Sequence, residues 1–320
     1  MAFDGAMSHH DHLPRPSGRS FLTDGGLETC LVVDDGLELT AFASFLLLTS
    51  PEGTERLRTY YLEYLRTANR LGLGFVLETP TWRANPEWGR SIGFAPDRLA
   101  LINRRAVELM HEIRSIDGGA EPVVVSGCVG PRGDGHRTGI TTAADAAAYH
   151  GQQIGWLVDG GADFVSALTI GTVEEGIGIA TAAARLGTPV VISFTVGTDG
   201  RLPSGMSLGD AISITDETTG RYPLYYMVNC AHPHHLVGAL EPGAAWIDRI
   251  GAYRPNASTL GHAELDGATV LDDGDPRILA DEVVALRGPL PSLTVIGGCC
   301  GTDHRHVEAI AEAWVRAGVR

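Results

Sequence analysis

The chain has 320 residues, 44% hydrophobic and 20% charged, which is the composition of a globular protein long enough to bury a large core. Its formal net charge of −15 at pH 7 argues against a general nucleic-acid binder, because nothing would offset repulsion by the phosphates. No run of about 18 apolar residues is present, so no membrane-spanning helix is expected.

Residues 1–19 are polar, contain His and Pro, and lack the apolar core of an export signal. They read as a flexible lead-in to a single domain over residues 20–320, and the cytoplasm is the expected location. In that compartment the five cysteines are expected as thiols rather than bridges.

The first strand is expected at 20–23 (SFLT), followed by an extra segment, 34–51, that reads as a loop with a short helix. Residues 54–71 have helical periodicity, with Leu57, Tyr61, Tyr64, Leu65 and Ala68 on one face. A strand at 74–78 (GFVLE) precedes a helix at 97–114, and a strand at 122–127 (PVVVSG) precedes a helix at 142–158. Strand 163–168 (DFVSAL), helix 173–186 and strand 189–194 (PVVISF) continue the alternation. Strands are then expected at 224–229 (LYYMVN) and 245–250 (AWIDRI), a helix at 278–286, a strand at 293–296 (LTVI), and a helix at 303–317 capped by Thr302 or Asp303. Most of the strands are apolar on both faces, as parallel strands covered by helices should be. Eight strands separated mostly by helices predict an α/β protein, a (β/α)₈ TIM barrel in one domain, with a doubly wound sheet as the alternative. The extra segment would lie over the barrel mouth.

In such a barrel the chemistry lies where strands pass into the following loops. Those positions carry TDGGLET, ETPTW, GCVGPRGDG, NCAHPHH, RPNAS and GGCCGTD, which together describe a polar, glycine-rich pocket. Cys230 follows the sixth strand, and Cys299 and Cys300 follow the eighth. Strand ends two apart are separated by roughly 10 Å, a gap that inward-pointing side chains nearly close. Consecutive residues of a regular strand face opposite ways, so both cysteines can turn inward only if Gly297, Gly298 and Gly301 break the strand geometry. Three thiolates around one point with an open fourth position suit a catalytic Zn²⁺. Other readings stay open: core cysteines, the expected fate of Cys30 and Cys128; a strained vicinal disulfide; or a nucleophile paired with His232, His234, His235 or His304.

NCAHP (229–233) followed by GGCCGTDHRHVEAI (297–310) resembles the homocysteine S-methyltransferase family, and TDGGLETCL (23–31) and ISFTVGTDGRLPSG (192–205) resemble its first- and fifth-strand segments. The resemblance covers the chain from about residue 20. It implies a barrel with zinc on Cys230, Cys299 and Cys300, a substrate thiol in the fourth position, and Asp24 at the amino-acid end of that substrate. With the strand-end segments, Asp24, Gly25, Gly26, Thr79, Asn229 and Asn256 become the candidate substrate contacts. The family's fourth strand ends in Glu-Thr, with the glutamate on the amino group of homocysteine. Here Leu168 stands at that place, followed by Thr169, so a changed acceptor pocket is expected, with Glu174 and Glu175 nearby as replacements.

The implied reaction is methyl transfer from an onium donor (S-methylmethionine, S-adenosylmethionine or betaine) to a zinc-bound thiol, homocysteine giving methionine, or to a different thiol or selenol. An aromatic-lined pocket suits such a cation, and Trp82 and Trp88 are the candidate donor contacts, with Phe94 and Trp246 behind them. The partners expected are therefore small molecules, with no nucleic acid and no membrane, and a homo-oligomer is allowed. Two readings compete from other classes. A zinc- or redox-sensing module would close the metal shell with His232 or His234. A phosphate-binding barrel enzyme would use its glycine turns at helix N-termini.

Overall fold

The computed structural model describes residues 12–116, 119, 122–136, 142–266 and 270–318. Eight parallel strands close into a barrel in sequence order: β1 Phe21–Leu22, β2 Gly74–Glu78, β3 Val123–Val129, β4 Phe164–Ile170, β5 Val190–Phe194, β6 Tyr226–Asn229, β7 Ile250–Arg254 and β8 Val295–Ile296. Closure is made by β1 against β8, with Phe21 opposite Val295 and Leu22 opposite Ile296. The (β/α)₈ architecture expected from the alternating pattern is the one observed.

Long helices cover the strands. Pro51–Leu71 starts where Ser50 accepts a hydrogen bond from Gly53 N–H and Pro51 presets the first turn, and it stops at Gly72 in the left-handed conformation. Its buried face carries Leu57, Tyr61, Tyr64, Leu65 and Ala68, as the periodicity requires. Helices Pro96–Ile116, Ala143–Asp159, Val173–Leu186, Pro276–Ala285 and His304–Arg316 follow the expected segments. The extra segment folds as two short 3₁₀ turns, Thr40–Phe42 and Ser44–Thr49. Among the described residues no helix is long and apolar enough to cross a membrane.

Two expectations are corrected. The seventh strand is Ile250–Arg254, not 245–250, and Ile247–Arg249 is a 3₁₀ turn. Trp246 and Ile247 are buried against the helices, so their apolar character reflects outer packing rather than strand pairing. The true strand (IGAYR) is obscured by a glycine and a terminal arginine. The helix Leu208–Thr219, between β5 and β6, has no counterpart in the sequence reading. Its Gly209 and its β-branched Ile and Thr residues blur helical periodicity, although the Ser207 cap onto Asp210 N–H is a start signal.

The barrel interior is layered. Phe21, Val76, Val124, Phe164, Val191, Met227, Ala252 and Val295, one from each strand, form a single buried apolar cluster, which Leu13 also joins. Residues 1–11 of the lead-in lie outside the described residues. Side chains alternate along a strand, so the next inward layer lies two residues on. That layer is polar: Glu78, Ser126, Ser166, Ser193, Asn229 and Arg254, all buried. It is the floor of the site.

Asp303 caps the last helix, which is anchored directly behind the cysteine pair. Its Oδ1 accepts from Arg305 N–H at 2.9 Å, and its own N–H donates to His306 Nδ1 at 3.2 Å, completing a capping box. Burial raises the Asp303 carboxyl, but hydrogen bonds with His306 and Arg305 outweigh it and hold the group below the usual carboxylate range. Its stabilisation is therefore present above about pH 4 and lost as pH falls below that. Asp303→Ala is expected to destabilise the protein by about 1–2 kcal/mol at pH 7. Thermal melts at pH 7 and pH 3 check this: the gap between the two proteins should be full at the first and only narrowed at the second, because the folded-state carboxyl keeps its charge below the range in which a free one is protonated.

Candidate active site and metal centre

The polar layer opens upward into a cavity of about 530 Å³ at the C-terminal end of the strands. Cys230, Cys299 and Cys300 all line it. The Sγ of Cys230 lies 2.8 Å from that of Cys299 and 3.3 Å from that of Cys300, and all three cysteines are unbridged. Their sulfurs lie within 4.8 Å of one another, a donor set of metal-site dimensions. The vicinal disulfide is not formed.

The backbone brings the sulfurs together in two ways. Cys230 itself takes the left-handed conformation (φ +59°), which turns its side chain out of the strand line, and Gly301 (φ +77°) reverses the chain after the pair. Gly297 and Gly298 do not have positive φ, so their expected role changes from turning to close approach. A Cβ on Gly298 would lie 2.0 Å from Thr302 Oγ1. Across the seam, a Cβ on Gly26 would lie 2.5 Å from the carbonyl oxygen of Cys299. The Asp-Gly-Gly turn after β1 is thus packed directly against the cysteine loop.

Asn229 fixes Cys299. Its Nδ2 donates to Cys299 Sγ at 3.5 Å and to Thr169 Oγ1 at 2.9 Å, while its Oδ1 accepts from Ser193 Oγ at 2.7 Å and from Thr169 N–H at 2.8 Å. Thr169 can offer that N–H because it sits at φ +63°, in the irregularity between Ala167 and Ile170 of β4. Hydrogen bonding with Cys230 and Cys300 holds the Cys299 thiol well below the usual range, against burial, while Cys230 and Cys300 are pushed up. Cys30 and Cys128 are buried thiols; Cys30, pushed up to about 12 by burial, joins the core cluster as expected, whereas Cys128 lines the cavity.

A buried charge network adjoins the cysteine loop and lines the same cavity. Arg254, at the end of β7, donates through Nη2 to Asp24 Oδ1 at 2.8 Å and through Nε to the carbonyl of Gly298 at 2.7 Å, and its Nη1 bonds Glu78 Oε2. Tyr60 donates to Asp24 Oδ2 at 3.2 Å. Burial pushes Asp24 up to about 7, although Arg254 pulls it down. Neither Arg254 nor Glu78 was singled out from sequence. Their signal was present, since a charged residue ends each of two otherwise apolar strands, but such a residue reads equally well as solvated.

Asp24, Gly25, Gly26, Thr79, Asn229, Asn256 and Trp82 line the cavity, whereas Trp88 is not among its lining residues. Thr79 and Asn256 are engaged within the protein: Thr79 Oγ1 accepts from Cys128 N–H at 2.8 Å, and Asn256 Oδ1 accepts from Ser258 N–H at 3.0 Å. The two tryptophans already hold a cation. The Arg83 guanidinium lies 4.0 Å from the Trp82 ring centre and 3.7 Å from that of Trp88. Phe94 packs edge-on against Phe45, and Trp246 is buried in the outer core. Neither lines the cavity.

Leu168 lines the cavity and packs against the apolar interior layer, and its carbonyl accepts from Trp82 Nε1 at 3.3 Å. Of the proposed replacement acids, Glu175 points away from the cavity to Arg132 N–H and His150. His232 caps the short helix Pro233–Val237 and, with His234, pairs with Glu282, so the histidines engage a carboxylate rather than the sulfurs.

A family model described as homocysteine S-methyltransferase matches residues 21–314. The chain is 25% identical over 332 residues to Homocysteine S-methyltransferase 4 of Zea mays, an overlap spanning 92% of each protein. Among solved structures, the homocysteine methyltransferase MmuM from Escherichia coli superposes in its metallated form with a TM-score of 0.69 at 21% identity, covering 92% of this chain and 96% of that one. Its oxidised form gives the same TM-score with 95% of that chain covered, and its apo form gives 0.61 at 19% identity. At these identities the superpositions establish the shared barrel.

Proposed function

The chain belongs to the homocysteine S-methyltransferase family, and from that premise we propose that it transfers a methyl group from an onium donor to the sulfur of homocysteine, with a zinc ion held by Cys230, Cys299 and Cys300. The observation that carries the reading is the convergence of three unbridged sulfurs, 2.8 and 3.3 Å apart, at the wall of a large cavity. A set of three soft thiolate ligands fits zinc, and the existence of metallated, oxidised and apo forms of MmuM supports a metal centre in this fold. When bound, zinc supplies the acidity that converts a substrate thiol into a thiolate at neutral pH.

The chain's own residues do the rest. Asn229 orients Cys299, and Arg254, bonded to the Gly298 carbonyl, ties the cysteine loop to Asp24 and Glu78. The cavity wall carries Asp24, Glu28, Glu78, Asp134 and Asp272 against Arg83 and Arg254, an acidic surround that favours a cationic donor. In the transfer, the acceptor sulfur forms the new S–CH₃ bond as the onium–CH₃ bond breaks, and that electron pair returns to the donor's heteroatom. No proton need move in this step, so the charge network acts by positioning. The cytoplasm, where thiols stay reduced, is the proposed location. A second reading follows from Leu168: the acceptor is another thiol or a selenol, because the end of β4 offers an apolar side chain.

The test is product analysis by mass spectrometry. Homocysteine, cysteine and selenohomocysteine are each incubated with S-methylmethionine, S-adenosylmethionine or betaine. Methionine is expected with at least one donor, abolished by a chelator and restored by zinc. Product from no pairing, or product unaffected by the chelator, would refute the proposal.

A further inference from the structure

We propose that Glu78, at the end of β2, binds the primary ammonium group of the acceptor thiol, so that in this protein the cation subsite lies on β2 and not at the end of β4. This rests on the thiol-methylation reading above. Glu78 is 4% exposed and lines the same cavity as the three sulfurs. Its Oε2 is taken by Arg254, but its Oε1 is buried and has no hydrogen-bond partner. A carboxylate oxygen withdrawn from water without a partner is unfavourable, and it is the kind of group a ligand completes.

The neighbouring groups narrow the chemistry of that ligand. Both oxygens of Asp24 are engaged, Oδ1 by Arg254 and Oδ2 by Tyr60. All three nitrogens of the Arg254 guanidinium bond protein acceptors: Nε to Gly298, Nη1 to Glu78, and Nη2 to Asp24 and Gly25. Arg254 is thus committed within the protein, and Glu78 Oε1 is the acceptor left open in this trio. When ionised, the trio holds two negative charges and one positive, an excess of one negative charge that one small cation balances. A primary ammonium has three donors in a compact head and fits a single open carboxylate oxygen beside a guanidinium.

Leu168 supplies the complementary argument. It occupies the interior position two residues beyond Ser166, its side chain is apolar, and its carbonyl is taken by Trp82. An ammonium placed there would meet hydrocarbon. The charge missing from the end of β4 is present on β2, one layer lower in the barrel.

The experiment measures binding to zinc-loaded protein by calorimetry, using L-homocysteine and 4-mercaptobutanoate, which differ only in the amino group. The wild type is expected to bind homocysteine about 10- to 100-fold more tightly, the range of one charge-assisted hydrogen bond. In Glu78→Gln that preference should collapse to within about threefold, with 4-mercaptobutanoate affinity, zinc content and melting temperature close to wild type. Equal weakening of both thiols would mean that Glu78 only supports Arg254, and an undiminished preference in the variant would place the ammonium elsewhere; either overturns the proposal. So would a wild type that does not discriminate between the two thiols. Because the readout is binding, absence of methyl transfer alongside an intact Glu78-dependent preference would refute the methylation reading while leaving the ammonium subsite standing.

Discussion

Cys299→Ala is expected to lose the metal and the reaction together while keeping the fold. Cys299 is the sulfur on which the local structure converges: Cys230 lies 2.8 Å away, Asn229 Nδ2 donates to it, and its carbonyl packs against Gly26. Removing it leaves two cysteines, and the open coordination set loses the geometry that three ligands impose. Zinc content should fall from about one per chain to a small fraction of that, because affinity depends steeply on ligand number. kcat/KM for thiol methylation should fall by about 10³-fold or more, equivalent to about 4 kcal/mol of transition-state stabilisation. The circular dichroism spectrum should be unchanged, since the layers below are filled by other residues. Metal analysis beside single-turnover kinetics checks this. Equal zinc content in the two proteins would mean that the sulfur cluster is not the metal site.

Arg254→Met should be the most destabilising single change in the site. Arg254 is buried, and it is the cation shared by Asp24 and Glu78. Deleting it strands two carboxylates in the barrel, and breaking a buried pair in this way costs about 3–5 kcal/mol. For a domain of this size the melting temperature should drop by about 10 °C. Combining it with Asp24→Asn should recover part of the loss, because the neutral amide no longer needs the guanidinium, and the recovery measures their coupling. The pH dependence carries a second signature. Burial pushes Asp24 up to about 7, so the folded protein holds that proton more tightly than an unfolded chain does. The resulting contribution to stability is full below about pH 4 and is lost as pH rises through about 7. Without Arg254, which draws the Asp24 carboxyl downward, the loss should extend to higher pH. A melting temperature for Arg254→Met within a degree or two of wild type across this range would show that the network is not structurally important.

The sequence carried the fold because strand and helix signals rest on local periodicity. Seven of the eight strands overlap the expected segments closely. The exception, β7, failed because Trp246 and Ile247 mimic a strand while facing the outer core, and because its last residue is an arginine buried by ion pairing. The cysteines were legible for a related reason: a rare residue type in a glycine setting has few alternative explanations, and barrel topology fixes which strand ends are near one another.

What the sequence determined alone was the architecture and the three cysteines that converge at the strand ends. Only the tertiary structure decided which charges share the cavity with those sulfurs. Closing the barrel brings Asp24, Glu78 and Arg254, more than two hundred residues apart at the extremes, into one buried network. It also placed Arg83 between the tryptophans expected to receive the donor. A charged residue at a strand end has no local signature of burial, since its position depends on partners supplied by other strands. Periodicity reports how a segment packs, while the pairing of charges across a closed barrel is a property of the whole chain.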